Sequence, residues 1–211
     1  MPDIRAKVIS AGNEEFEVKL NVEYLRQCVT YGVGRTPNQS ESFPSSGWHK
    51  VKANEEWDID LGMDNQTNRP KIRGGMAYLI AKSSSNQIDT IRFFIKGSNP
   101  TVAQINTYLN QEPYNQIWFF KKIAFHERGS PNNINESARQ FNEYTESSEN
   151  LSEDWNAYSR CPNFGPPCGW GLMQLDNPAP PIQALWDWQA NIRAGYDLLV
   201  GEKKGIVRTS H

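Results

Sequence analysis

The spacing of apolar residues changes once along this chain, and that change limits the fold more than any other feature. Before residue 98 apolar side chains recur at every second position. In "FEVKLNVEYL" the alternation is unbroken: Phe16, Val18, Leu20, Val22 and Tyr24 share one face, and Glu17, Lys19, Asn21 and Glu23 the other. That pattern predicts a strand with one face in a core and the other in water. Further strand-like runs follow at "GWHKV", at "EWDIDLGM" with Trp57, Ile59 and Leu61 in phase, at "GGMAYLIAKS" and at "DTIRFFIKG". Turn-rich pieces such as "GRTPNQSESFPSSG" and "NQTNRP" separate them, with no convincing helical pattern between. Residues 1–98 therefore read as a small antiparallel β-sandwich or barrel.

After "GSNPT" the period becomes helical. "TVAQINTYLNQ" puts Val102, Ile105 and Leu109 on one stripe, with Thr101 able to cap, and "YNQIWFFKKIAFHE" does the same for Ile117, Phe120, Ala124 and Glu127. "PIQALWDWQANIRAGYDLLVGEKKG" carries Leu185, Trp188, Ile192, Gly195 and Leu199 at helical intervals, with Gly201 as a stop. Between these, from Gly129 to about Pro167, the chain is polar and acidic, "NESARQFNEYT" being its most helical piece. A long, partly irregular stretch of this kind inside a compact domain is usually functional or mobile. The class is α+β, with an all-β domain over residues 1–98 and a helical domain over 99–211.

A chain of 211 residues is long enough for each part to bury its own core. A net charge of −2 provides no long-range field of the kind that gathers nucleic acid, so duplex DNA or RNA is not an expected partner. No apolar run approaches the roughly 20 residues that span a bilayer, and "MPDIRAKVIS" lacks the apolar stretch of a secretory signal. Of the cysteines, Cys161 and Cys168 in "CPNFGPPC" read either as a disulfide closing a Pro/Gly-rich loop, which implies an oxidising compartment, or as two separate thiols. Seven Trp and eight Tyr suit cores and sugar-binding clefts alike.

"AFHERGS" begins as a zinc-protease helix does, with His126 beside Glu127, but the position one turn on is Ser130, and neither of the other two histidines is spaced to complete a site. No metal and no cofactor are expected, and the glutamate is left to act alone. It ends an aromatic helical stripe, with Gly129 and Pro131 just beyond. At the rim of an apolar wall its carboxyl would be desolvated and its pKa raised toward general-acid use; the plainer alternative is an exposed glutamate at a helix end.

"CGWGLMQLDNPAPPIQALWDWQANIRAGYDLL" resembles the lysozyme-like superfamily of soluble lytic transglycosylases and goose-type lysozymes. Three ordered elements carry the resemblance over residues 112–200 or so: Glu127 at a helix end, Gly171-Leu172-Met173-Gln174, and Asn191-Ile192 with Gly195 and Leu199. Such domains carry a later Tyr-Asn motif that does not occur before His211, so the resemblance implies a helical domain that is either truncated or reduced.

The resemblance further implies a peptidoglycan hydrolase, a lytic transglycosylase or muramidase, that cleaves the β-1,4 bond between N-acetylmuramic acid and N-acetylglucosamine. Glu127 would serve as general acid and then base, and Gly171, Leu172, Met173, Gln174, Asn191 and Tyr196 would bind glycan. The close approach that glycine allows, the soft thioether of Met173 and the amides of Gln174 and Asn191 suit an N-acetylated sugar, although each of these residues also has an ordinary packing role open to it. A second carboxylate would be Asp176, or an acid of the 136–154 stretch such as Asp154, if the chemistry follows the goose-type side. On the transglycosylase side the substrate's own acetamido group replaces it. The implied partner is the peptidoglycan strand and the implied location extracytoplasmic, with the β domain binding or positioning on the wall. A catalytically inactive wall-binding module on the same fold is the alternative.

Overall fold

The structure, a computed structural model, describes residues 4–24, 39–65, 67–127, 139–141, 162–165 and 169–208. It is a mixed α+β chain in two compact units, one running through Lys96 and the other from Gly97 onward.

The first unit is built on β2 (Glu15–Tyr24), which follows the short β1 (Arg5–Lys7). Its alternation works as read: Val18, Leu20 and Val22 are buried, while Lys19 lies over the Trp48 ring on the other face. One edge of β2 is shared by two successive antiparallel partners, β3 (Gln39–Phe43) and β4 (His49–Lys52). After β5 (Glu56–Asp58), β6 (Met63–Asp64) and β7 (Arg69–Pro70), strand β8 (Gly75–Ser83) takes the opposite edge of β2, and β9 (Ile88–Ile95) pairs with β8. The result is a five-stranded antiparallel sheet, accompanied by the ribbons β1–β5 and β6–β7. Among the described residues it does not close into a barrel, since β9 finds no partner beyond β8. Register aligns Phe43, Leu20, Leu79 and Ile91 across one face. Of "EWDIDLGM", only Glu56–Asp58 and Met63 join ladders; Ile59 and Leu61 keep the phase and are buried.

Arg73 is buried against Glu41 and Asp64, with Lys71 also 3.3 Å from Glu41. Desolvation pushes the Asp64 pKa up, but hydrogen bonds from the Thr67 backbone and hydroxyl and the Arg73 guanidinium outweigh it, so the carboxyl titrates below its usual range. A depressed carboxylate stabilises the fold fully above the unfolded-state pKa near 4 and loses that contribution as pH falls through its folded value. Asp64→Asn is therefore expected to flatten the acid limb of a urea-midpoint series taken below about pH 4; an unchanged limb would assign the acid sensitivity elsewhere.

The second unit opens with α1 (Val102–Leu109), whose cap is as the sequence suggests. Thr101 Oγ1 accepts from the Gln104 N–H at 3.2 Å, and the Gln104 side chain accepts from the Thr101 N–H at 2.8 Å. The stripe expected over 114–127 is divided: a single 3₁₀ turn covers Tyr114–Gln116, the backbone is extended at Ile117, and α2 covers only Phe120–His126. Beyond the hairpin β10–β11 (Phe164–Gly165 and Gly169–Trp170), the expected long C-terminal helix is two: α3 (Ile182–Trp186) and α4 (Trp188–Arg208). Asp187 makes the break. Its backbone is extended, and its Oδ1 accepts from the Gln189 N–H at 2.9 Å, so it caps a new helix instead of continuing the old one. Gly201 does not stop α4; a glycine inside a helix weakens it without ending it. Of "NESARQFNEYT", only Arg139, Gln140 and Phe141 are described, and they are not helical. One core unites Ile105 and Leu109 of α1, Tyr114 of the 3₁₀ turn, Phe120 and Ala124 of α2, Leu172, Met173 and Leu175, Ala184 of α3, and Ala190 and Ile192 of α4.

Candidate active site

Glu127 sits at the C-cap of α2, its N–H donating to Ile123 O at 3.0 Å. Phe120 and Ala124 on the same stripe are buried, but Glu127 itself is exposed. The expectation of a carboxyl desolvated by an apolar wall is corrected accordingly: the wall ends with Ala124, and the helix stops as the stripe comes round again. The plainer reading, an exposed helix-end side chain, describes its surroundings.

The Gly171–Gln174 stretch is a tight turn joined to Trp170 and Leu175, which bond to each other in both directions. Its backbone is tied down by two wholly buried side-chain amides. Asn191, in the first turns of α4, accepts from the Met173 N–H at 2.8 Å through Oδ1, and its Nδ2 donates to Trp170 O and Ala184 O, both at 3.1 Å. Gln140 does the same from the other side: Oε1 accepts from the Leu172 N–H at 3.0 Å, and Nε2 donates to Ala184 O at 3.1 Å and Leu185 O at 3.0 Å. Both amides are 0% exposed. Their N–H donors and oxygens are engaged by the turn and by the last carbonyls of α3, which a helix end leaves without partners.

These bonds correct several sequence assignments. Asn191 is wholly buried, with Oδ1 and Nδ2 both bonded within the chain, so it holds the turn and is not open to a sugar. Gly171, Leu172 and Met173 are buried; Leu172 and Met173 belong to the core, where the Met173 side chain lies so close over α4 that a Cβ on Gly195 would stand 2.9 Å from its Cε. Tyr196 is half-buried, its ring meeting Tyr114 and Phe120 edge-on at 5.3 and 5.5 Å. The Tyr114 hydroxyl is 3.0 Å from that of Tyr108, and burial, with that bond adding to it, pushes the Tyr114 pKa up and keeps the phenol neutral. Gln174 is the member of the turn with partial exposure; its backbone is left-handed, at φ +46°, and its Nε2 donates to Gly171 O at 2.7 Å. Asp176 is exposed, its Oδ1 accepting from the Asn177 N–H at 2.7 Å. Asp154, Cys161 and Cys168 lie outside the described residues.

What the structure brings together is thus a helix ending in an exposed carboxyl and a clamped turn, both resting on one core. Sequence reading missed Gln140, which stands in a polar stretch with no periodicity to mark it as buried. It also missed Asp187, although an Asp just before "WQAN" is a recognisable cap signal. Among the described residues no three His, Cys, Asp or Glu side chains gather as metal ligands, and no helix is long and apolar enough to cross a membrane. Comparison with known protein families, curated proteins and solved structures returned no match.

Proposed function

We propose that the chain is a peptidoglycan glycosidase, of lytic transglycosylase or muramidase type, in which Glu127 protonates the leaving oxygen of the bond between N-acetylmuramic acid and N-acetylglucosamine. One observation carries the reading. The three ordered sequence elements, separated by long stretches of chain, meet in a single core: Phe120 and Ala124 of the helix that Glu127 ends, Leu172 and Met173 of the turn, and Ala190 and Ile192 of α4.

A proton donor must reach its substrate, and an exposed carboxyl at a helix end does so; the glycan itself would exclude water from Glu127 when bound. Gln174, with a half-exposed side chain on a rigid turn, is the amide of this set available to a sugar. The fate of the resulting cation is decided by the acceptor. Attack by water leaves a reducing end, and attack by the sugar's own 6-hydroxyl an anhydro end, with Glu127 returning as base in either case.

The test is digestion of purified peptidoglycan by the full chain, with mass spectrometry of the soluble products. Release of disaccharide muropeptides is expected, and anhydro and reducing ends differ by one water. Retention of the chain on sedimented peptidoglycan with no fragments released would replace this reading by that of a wall-binding module, which the structural roles of Asn191 and Met173 also fit.

A further inference from the structure

The β unit holds a cleft of about 300 Å³ lined on one side by Ala6, Lys7, Val8 and Ile9. Successive side chains of a strand point to opposite faces, so four consecutive residues border one cleft only where it runs along the strand's edge. The edge is the one that β5 leaves open. Ile59 N–H bonds to Ile4 O, Asn54 N–H bonds to Val8 O, and Ala6 lies opposite Trp57, so the even-numbered residues turn their backbone groups toward β5. Antiparallel alternation turns the N–H and C=O of Lys7 and Ile9 the other way. Among the described residues nothing bonds to them.

The facing wall is apolar apart from Asp89, which stands beside Ala81. Val18, Leu79, Ala81 and Ile91 line it from one face of the sheet, as the pairings Val18↔Ala81 and Leu79↔Ile91 require. Ile91 is 60% exposed and Ile9 84%. An apolar molecule filling this space would strip water from the open backbone groups and leave them unpaired, a cost of about 1–3 kcal/mol for each buried group. An extended peptide satisfies both demands at once, since its backbone pairs with the strand edge while alternate side chains enter the cleft. Lys7 is exposed and has no ion pair among the described residues, so an acidic residue on the incoming strand is favoured beside it, on the side turned away from the sheet face that carries Asp89. A second copy offering the same edge would set its own Lys7 against this one, which disfavours self-pairing.

We infer that this cleft docks an extended segment of a partner protein, paired to the open edge of β1, with apolar side chains at alternate positions against Leu79 and Ile91 and an acidic one beside Lys7. The segment extends the β1–β5 ribbon across the sheet face and gives the β unit a recruiting role independent of any chemistry elsewhere in the chain.

The probe is the synthetic peptide acetyl-Thr-Val-Glu-Val-Thr-Val-amide, titrated into the isotopically labelled full chain and followed by NMR and amide hydrogen exchange. The Lys7 and Ile9 amides are expected to shift and to exchange at least about tenfold more slowly. The same peptide N-methylated throughout is expected to leave them unchanged. Ile91→Asp, at a solvent-exposed position where the fold tolerates the change, is expected to weaken binding about tenfold or more, with circular dichroism reporting the fold. Unaltered Lys7 and Ile9 exchange at millimolar peptide overturns the inference. So does equal binding of the N-methylated peptide, which would mark the cleft as a simple apolar pocket. Self-association of the peptide-free chain that Lys7→Pro abolishes would make a second copy the occupant and overturn it as well.

Discussion

Gly171→Ala is expected to lower the stability of the helical unit by more than about 3 kcal/mol, because two penalties fall on one atom. The residue has φ +70°, where an L side chain is strained. The added Cβ would stand 2.5 Å from Asn191 Nδ2, 2.7 Å from Gln140 Nε2 and 2.8 Å from Gln140 Oε1. In most sites a flexible side chain could swing aside. Here neither can, since both amides are buried and bonded at each end, and moving Asn191 strands the Met173 N–H, or moving Gln140 the Leu172 N–H, in an apolar interior at about 1–3 kcal/mol for each group. The measurement is the urea midpoint followed by near-ultraviolet circular dichroism, where the tryptophans around the turn report on its packing. A loss below about 1 kcal/mol, the level of an ordinary substitution, would mean that the amides relax and that the clamp is looser than its geometry implies.

The residues that lock this turn also mark the limit of what periodicity reveals. Strand β2 was legible because a single rule, apolar at every second position, governs all of Phe16 to Val22 and nothing competes with it. Helix α1 was legible for the same reason, and its start was marked by the hydroxyl of Thr101 with Gln104 three residues on. The division between α3 and α4 was not, because Leu185, Trp188 and Ile192 keep helical spacing across a residue that does not take helical torsions; the break depends on one carboxylate, Asp187, turning back to cap. Asn191 lies on the stripe that holds Trp188 and Gly195, so its burial was implied. Its role was not: an amide aimed at a ligand and one aimed at a backbone occupy the same place in a helical pattern. Gln140 gave no signal at all, since its partners on the turn and at the end of α3 lie more than 30 positions away. Glu127 was found through the separate stripe of Ile117, Phe120 and Ala124, and its exposure follows from where that stripe ends.

Glu127→Gln is the substitution on which catalysis and folding separate most cleanly. Gln keeps the size and shape of the side chain and removes the proton a general acid must give, so muropeptide release is expected to fall at least about 10³-fold if the acid step limits turnover. Stability should move the other way. The carboxylate is exposed at the end of α2, where unpaired carbonyls present the negative pole of the helix, and replacing a negative charge there is neutral or favourable by about 0.3–1 kcal/mol. A variant that has lost its activity and holds or raises its urea midpoint has lost chemistry alone, which neither Asn191 nor Gly171 can offer, because both hold the turn in place. Asp176→Asn, measured in the same assay, separates the two routes to the product: an exposed carboxylate that assists water costs activity when neutralised, whereas internal attack by the 6-hydroxyl with help from the acetamido group does not need it. Release unchanged in Glu127→Gln would leave the helix end without a catalytic role, and the clamped turn would then be read as the framework of a binding domain.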